Sequence, residues 1–197
     1  MKVSKDQSAR NRRKVLVTAA KLYRERGFEG ASVNDIMRQA GFTHGGFYGH
    51  FDSKEDLIAQ ACQQVIEENL DSWKKRSGEA KENPLAEIAK SYLSEAHCNH
   101  RDGGCLFAAL SNDLSRQSKP VRTVATQGLR RFFDFLESLV PGKADQTRRR
   151  RDQAITTYAG MIGGIVMARA VNDPELAREI LAAVSRNTES DLLSHGH

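Results

Sequence analysis

Glycines divide the first quarter of the chain into segments that suit one long helix and then short ones. Gly27 and Gly41 each follow a run whose apolar side chains recur at helical spacing, and three more glycines lie just beyond. Each glycine costs about 1 kcal/mol relative to alanine inside a helix, so the stretch AGFTHGGFYGHF at 40–51 does not favour a long one. Its aromatic residues nevertheless require a core. The pattern predicts a long helix followed by two short helices.

The apolar pattern remains helical beyond this segment, with no alternation typical of strands and no repeat. Ser32 and Ser53 are good N-caps, and 77–84 is the best linker candidate. We predict helices at 10–26, 33–40, 43–50, 53–76, 85–98, 105–114, 120–140, 144–171 and 174–193. The predicted fold class is therefore all-α, with an N-terminal three-helix domain at 1–53 and a larger helical domain at 54–197.

The distribution of charge along the chain indicates which kind of molecule it binds. The chain has a net charge of +5, and residues 1–54 hold eleven Lys and Arg against five Asp and Glu, so the excess lies there. A basic segment on a nearly neutral body favours a polyanion, with nucleic acid ahead of a membrane surface, although a merely solvated basic helix is the alternative. No apolar stretch approaches the ~20 residues of a membrane span, and no secretory signal is evident. Three sparse cysteines favour the reducing cytoplasm.

The order of long helix, short helix, Gly41 and short helix is that of a helix-turn-helix. Its second short helix would lie in the major groove of DNA, where glycines permit close approach. Aromatic residues would pack back onto the first two helices: Phe42, Phe47 and Phe51. Between them stand side chains that suit phosphates or base edges, namely Thr43, His44, Tyr48 and His50. A glycine-rich core turn would not need these polar groups.

A resemblance to a known family covers SVNDIMRQAGFTHGGFYGHFDSKEDLIAQA at 32–61. This stretch resembles the DNA-binding motif of the TetR family of bacterial transcriptional regulators. The matching positions are Ser32, Ile36, Ala40, Gly41, Thr43, Gly45, Tyr48, His50, Phe51, Ser53, Lys54 and Leu57. The sequence departs from the family pattern at Met37, at Phe42 and at His44, where lysine or arginine is commoner.

The resemblance implies a DNA-binding role for seven residues: Ser32, Thr43, His44, Gly45, Tyr48, His50 and Lys54. Ser32 and Thr43, at two helix N-termini, would bind phosphate. Three others would contact the DNA backbone, namely Tyr48, His50 and Lys54. His44 and Gly45 would reach base edges, with help from Thr43. The N-terminal segment would add an arm that contacts the DNA backbone through Arg10, Arg12 and Arg13.

The resemblance further implies that the rest of the chain binds a small-molecule effector and forms a homodimer, with no cofactor. We expect the effector to contact Tyr92, Cys105, Phe107, Leu110, Phe132 and Tyr158. Small residues at 158–171 permit close helix packing, so the last two helices are expected to form a four-helix contact between two copies, although an internal core helix is the alternative. The expected function is a repressor that the effector releases from a palindromic operator on double-stranded DNA.

Residues 97–105 leave several interpretations open. The spacing of His97, Cys98, His100 and Cys105 has no familiar ligand geometry, so no metal site is expected. Cys105 follows two glycines at a predicted helix start, which favours a reactive thiol, and it resembles a cysteine that senses electrophiles or oxidants in part of the family. A small buried apolar residue is the alternative.

Two other classes of function remain open. A cysteine-dependent enzyme would use Cys105 as nucleophile with His97 or His100 as base, but nothing in the sequence orients that base. A helical adaptor that binds only proteins would show little salt sensitivity, whereas binding to DNA weakens steeply with salt.

Overall fold

The chain is helical throughout the computed structural model, which describes residues 5–141 and 146–193 and the side chains as far as Thr188. These ranges contain the α-helices α1 (Lys5–Arg26), α2 (Val33–Gln39), α3 (Lys54–Glu79), α4 (Pro84–Tyr92), α5 (Glu95–Asn99), α6 (Leu106–Ser115), α7 (Lys119–Leu139), α8 (Thr147–Ala170) and α9 (Pro174–Leu193). A 3₁₀ helix (His44–Gly49) lies between α2 and α3. The predicted all-α fold class is confirmed.

Glycines and serine caps set the helix boundaries of the N-terminal part. Gly27 and Gly41 have φ angles of 76° and 80°, in the left-handed region that glycine adopts without strain. After α2 the Phe42 amide donates to the Met37 carbonyl at 2.8 Å, which together with Gly41 is the hydrogen-bond pattern of a Schellman motif. The predicted cap Ser32 accepts from the Asp35 amide at 3.1 Å, and Ser53 caps α3 in the same way.

The structure differs from the predicted boundaries in four places. The first helix begins at Lys5 rather than residue 10, and α3 continues to Glu79, which shortens the predicted linker to 80–83. The helix predicted at 85–98 is divided, because the Ser94 hydroxyl accepts from the His97 amide and starts α5. The glycine-rich helix is 3₁₀. The predicted start of α8 at Ala144 lies outside the described residues.

The helix α3 joins the two parts of the molecule. It packs against α1 on the N-terminal side and against α4, α6 and α7 in the body. Leu57 and Ile58 at its start, and Leu70 and Trp73 further along, are all buried. Close approach to α7 depends on Gly128, where a Cβ would lie 2.5 Å from the Ile66 Cδ1 atom. One continuous helix therefore contributes to the core of both parts.

The helices α8 and α9 pack along each other at the far side of the body. A Cβ at Gly164 would lie 3.0 Å from Leu93 Cδ2 and 3.3 Å from Val184 Cγ2, and one at Gly160 would meet Val184 at 3.7 Å. These two glycines thus serve packing within the protomer, as the internal-core alternative expects, whereas a Cβ at Gly163 would meet open space. None of the described helices is long and apolar enough to cross a membrane.

Candidate nucleic-acid interface

The 3₁₀ helix is fixed by aromatic residues on one side and exposes polar groups on the other. Phe47 is 1% exposed and stacks on the buried Phe51 ring, with 5.6 Å between ring centroids. Tyr48 is 71% exposed and makes an edge-to-face contact with Phe47 at 5.2 Å. The buried rings therefore hold the segment in place while leaving Tyr48 in solvent.

The exposed surface of this segment contains most of the residues that the sequence assigns to DNA. Thr43 is the N-cap, and its side chain makes no capping hydrogen bond with the described residues, so the hydroxyl is available to a ligand. His44 is exposed, with its ring 6.2 Å from that of Tyr48. A Cβ on Gly45 or Gly49 would meet nothing within 4 Å, so both positions leave room for an approaching surface.

Three further predicted DNA-binding residues have partners within the protein. The Ser32 hydroxyl donates to the Asp35 carboxylate at 2.6 Å while it caps α2. The Lys54 Nζ atom lies 3.5 Å from the Glu29 carboxylate. His50 is half-buried at the C-cap of the 3₁₀ helix. A phosphate would have to displace Asp35 or Glu29 to reach the first two.

Arg12 does not extend from α1 as an arm. Its guanidinium lies 5.3 Å above the Phe51 ring centroid and donates to the Gln60 side chain and to the His50 carbonyl. Arg12 thus ties α1 to α3 and to the end of the 3₁₀ helix, which is a packing role. Arg13 is exposed on the same helix.

A cavity of about 170 Å³ lies in the body between α3, α4, α7 and the loop at 100–105. Three of the six predicted effector residues line it: Tyr92, Cys105 and Phe132. Tyr158 is fully buried behind the lining, with its hydroxyl 3.3 Å from the Cys105 Sγ atom. Phe107 and Leu110 are buried on α6 and do not line this cavity.

The remaining lining residues were not found by reasoning from the sequence. They are Asn69, Ser72, Trp73, Arg76, Ser91, His97, Gly103 and Gly104. Asn69, Trp73 and Arg76 are four and three residues apart, so they share one face of α3. The sequence did contain a signal for these lining residues: polar residues stand at helical spacing on both sides of the single tryptophan.

His97 organises the loop that borders the cavity. Its Nδ1 atom lies 2.6 Å from the Tyr92 carbonyl, so this nitrogen carries the proton and donates. Its Nε2 atom accepts from the Cys105 amide at 3.1 Å. Burial lowers the pKa of His97, which matches the neutral form that this arrangement requires. Since both nitrogens are engaged, His97 does not face the Cys105 thiol as a general base.

All three cysteines are free thiols and buried. Cys105 is the N-cap residue of α6, as predicted, and its thiol is buried beside Tyr158. Burial raises the pKa of Tyr158 well above its ordinary value, so its hydroxyl remains protonated. Burial likewise raises the pKa of Cys62 to about 12. Within the described ranges, no three His, Cys, Asp or Glu side chains are grouped so as to hold a metal ion.

The 100–105 loop is bonded to α1 and, through the end of α5, to α8. The Asp102 carboxylate lies 3.0 Å from Lys21 Nζ, and this hydrogen-bonded pair lowers the pKa of Asp102. Arg24 Nε donates to the Asp102 carbonyl at 2.7 Å. On the other side Arg169 donates to the carbonyls of His97 and Cys98 at 2.8 and 2.9 Å. One loop therefore contacts both the cavity and the N-terminal helix.

Comparison with known proteins places both parts of the chain. Residues 15–61 match the family described as bacterial regulatory proteins, tetR family, and residues 81–184, more than half of the chain, match the tetracyclin repressor-like C-terminal domain. The HTH-type transcriptional repressor DhaR of Mycobacterium sp. (strain GP1) is 29% identical over 145 residues, 71% of this chain and 70% of that one. The uncharacterized HTH-type transcriptional regulator YerO of Bacillus subtilis (strain 168) is 27% identical over 89 residues, which span 45% of this chain and only 31% of YerO.

Solved structures have the same fold. A TetR transcriptional regulator from Chloroflexus aurantiacus superposes with a TM-score of 0.79 at 18% identity, covering 96% of this chain and 98% of that one. The reduced form of NemR from E. coli gives 0.76 at 20% identity, covering 92% and 96%. Because the family matches cover the helix-turn-helix and most of the body, the chain belongs to the TetR family and is a DNA-binding transcriptional regulator.

Proposed function

We propose that this regulator is a repressor that binds a palindromic operator as a homodimer and leaves it when a small effector occupies the cavity. The observation that carries the proposal is the 100–105 loop, which lines the cavity and is bonded to α1 of the DNA-binding part. The similarity to DhaR, which is named a repressor, favours repression over activation. A regulator that binds the chromosome would act in the cytoplasm.

The exposed side of the 3₁₀ helix is proposed to enter the major groove. His44 and Gly45 would reach base edges with help from Thr43, and the Tyr48 hydroxyl would reach a phosphate. Ser32, His50 and Lys54 would contact the DNA backbone. The Lys54–Glu29 pair does not oppose this role, because an ion pair this exposed contributes at most about 1 kcal/mol and a phosphate can replace Glu29.

Dimerisation is proposed through α8 and α9, which present apolar side chains to solvent. Among the side chains that the structure describes on these helices, the exposed large apolar ones are Ile155, Val166, Met167 and Leu176. On α8 they fall with Gly163 at helical spacing along one stripe, and a Cβ at Gly163 would meet open space. A second copy would cover this stripe and place two recognition segments roughly one DNA turn (~34 Å) apart, as a palindrome requires.

The proposed transmission runs from the cavity to α1. Gly103, Gly104 and Cys105 line the cavity, and Asp102, next in the chain, holds Lys21 and Arg24. An effector that fits a shifted loop would favour an orientation of α1 that does not match the operator, which is a population shift between two states. We propose the domains as 1–53 for DNA binding and 54–197 for effector binding and dimerisation, with α3 as the mechanical link between them.

An electrophile would act through the same loop, because the Cys105 thiol lines the cavity. In that case Cys105→Ser would abolish release of DNA by a thiol-reactive compound such as N-ethylmaleimide. An unchanged response in that variant would exclude the cysteine as the sensor.

The DNA-binding proposal is tested by fluorescence anisotropy with a labelled duplex at increasing salt. A protein that neutralises several phosphates loses affinity steeply as salt rises, and a homodimer binds as two protomers per site. Binding that is weak at all salt concentrations, or insensitive to salt, would favour the protein-binding adaptor instead.

A further inference from the structure

Two residues that line the cavity carry buried polar atoms without partners among the described residues. Neither the Asn69 Oδ1 atom nor the Tyr92 hydroxyl has a hydrogen-bond partner of ordinary geometry among the described residues, and Tyr92 is only 5% exposed. The Cys105 thiol is close to Tyr92, but sulfur is a weak hydrogen-bonding group. Buried polar groups are nearly always paired, so two such atoms on residues that line one cavity indicate a ligand with hydrogen-bonding atoms.

Charge at the cavity favours an anion. Arg76 is exposed, lines the cavity from α3, and makes no ion pair or hydrogen bond with the described residues. Among the described residues the lining contains no Asp or Glu, and His97 is held in its neutral form by Tyr92 and Cys105. A carboxylate on the ligand would thus meet one guanidinium and no opposing charge, and Arg binds carboxylates in a fork geometry.

The size and walls of the cavity favour a single ring. Its volume of about 170 Å³ is close to that of a cavity known to take benzene, about 150 Å³. Trp73 lies edge-to-face with Phe132 at 4.9 Å and with Tyr92 at 6.0 Å, and all three line the cavity. Aromatic side chains in this arrangement favour a planar, apolar ligand body.

From these observations we propose that the effector is a monocyclic aromatic acid that carries a ring hydroxyl. Its carboxylate would pair with Arg76, its ring would pack against Trp73 and Phe132, and its hydroxyl would donate to Asn69 Oδ1 and accept from Tyr92. Asn69 and Arg76 are seven residues apart on α3, about 10 Å along the helix axis, a distance that the ring and the long Arg side chain can span. The assignment rests on the proposed function of the cavity as the effector site.

The test is calorimetric titration of the purified protein with 4-hydroxybenzoate and three matched compounds. Benzoate lacks the hydroxyl, phenol lacks the carboxylate, and trans-4-hydroxycyclohexanecarboxylate lacks the aromatic ring. We expect 4-hydroxybenzoate to bind once per protomer. Benzoate and phenol should bind at least about tenfold more weakly, since a lost hydrogen bond or ion pair is worth about that factor. The non-aromatic acid should also bind more weakly, because it loses the packing of a planar ring against Trp73 and Phe132. Equal binding of all four, or no binding of 4-hydroxybenzoate, would overturn the assignment.

Two variants locate the ligand. Arg76→Gln should weaken 4-hydroxybenzoate and benzoate while leaving phenol unchanged, and Asn69→Leu should weaken 4-hydroxybenzoate and phenol while leaving benzoate unchanged. Lys75→Gln is the matched control, because Lys75 is exposed on the same turn of α3, pairs with Glu79 and does not line the cavity. Loss of affinity in the control equal to that in Arg76→Gln would contradict the proposed site.

Failure of this inference is separable from failure of the proposed function. Calorimetry reports only on the ligand, whereas selection of a palindrome from random DNA reports only on operator binding. A palindrome without binding of 4-hydroxybenzoate would overturn the ligand class alone. Binding of 4-hydroxybenzoate without any preferred DNA sequence would support the proposed ligand class and overturn the proposed repressor function.

Discussion

At the scale of single residues, DNA recognition depends on side chains that the fold leaves exposed. The buried Phe47 and Phe51 rings hold the 3₁₀ helix, while Thr43, His44 and Tyr48 remain in solvent. Lys54 lies beside this surface, and its partner among the described residues is the exposed Glu29. Such residues contribute little to folding, so their substitution separates binding from stability.

The first prediction concerns Lys54. Lys54→Ala should weaken binding to every DNA sequence alike and reduce the slope of log affinity against log salt by about 1.8, the value for two phosphate contacts, one from each protomer of the dimer. The free energy of unfolding should change by at most about 1 kcal/mol, because the lost ion pair is at the surface. Anisotropy titrations at several salt concentrations give the slope, and an unchanged slope would contradict a phosphate contact.

The second prediction concerns the pH dependence of stability through His97. The unfolded chain takes up a proton on this histidine below its ordinary pKa of 6.5, whereas burial lowers the pKa in the folded state. The unfolded state then binds more protons, so the free energy of unfolding falls as pH drops below 6.5. Protonation would also remove the acceptor for the Cys105 amide.

Urea denaturation at pH 7.5 and pH 5.5 measures this effect. The loss of stability on acidification should be smaller in His97→Gln than in the wild type, because glutamine does not take up a proton in this range. His100→Gln provides the control, since His100 is exposed and should leave the difference unchanged. Equal losses in His97→Gln and the wild type would show that His97 is not the group responsible.

At the scale of helices, the sequence predicted which elements form and in what order. It predicted less well where one helix ends and another begins, and which distant residues contact each other. Ser32, Ser53 and Gly41 act locally, so their caps and stops were readable from neighbouring residues. The break after α4 was missed because Ser94 interrupts an apolar pattern that continues on both sides. Contacts between distant segments, such as Arg12 with Gln60, leave no signal at short range.

The candidate sites show the same contrast between local sequence signals and contacts that depend on the folded structure. The exposed DNA-binding residues could be predicted because they lie within one local motif. Half of the predicted effector residues line the cavity, but Asn69, Trp73 and Arg76 were missed, because the face that α3 turns inward is set by its packing against α7 and α4. Sequence periodicity identifies a buried face without saying whether a cavity adjoins it.

The third prediction concerns the contact between the 100–105 loop and α1. Asp102→Ala removes the pair with Lys21, so amide hydrogen exchange should rise both in the loop and in the part of α1 around Lys21 and Arg24. Exchange in α9, which is remote from this contact, should remain unchanged. Asp71→Ala is the control, because Asp71 pairs with Lys74 on the same helix and, among the described residues, makes no ion pair with α1. A rise confined to the loop would contradict transmission through Asp102.

At the scale of the whole molecule, the fourth prediction concerns the dimer. Met167 is 51% exposed on the apolar stripe of α8 and Val17 is 49% exposed on α1, so the two positions form a matched pair. Met167→Lys places a charge in the proposed contact and should give a monomer at concentrations where the wild type is a dimer. Val17→Lys should remain dimeric. Analytical ultracentrifugation distinguishes these states, and a dimeric Met167→Lys would contradict the proposed contact.

The central claim, that two copies read a palindrome, is tested most directly by selection from random duplex DNA at moderate salt. Sequencing the retained duplexes should reveal an inverted repeat whose half-sites lie about one turn, 10–10.5 base pairs, apart. Its spacing would report the separation of the two recognition segments in the DNA-bound dimer. Retention of DNA without any enriched sequence would mean that the basic segment contacts phosphates only, and would contradict the account of a sequence-specific repressor.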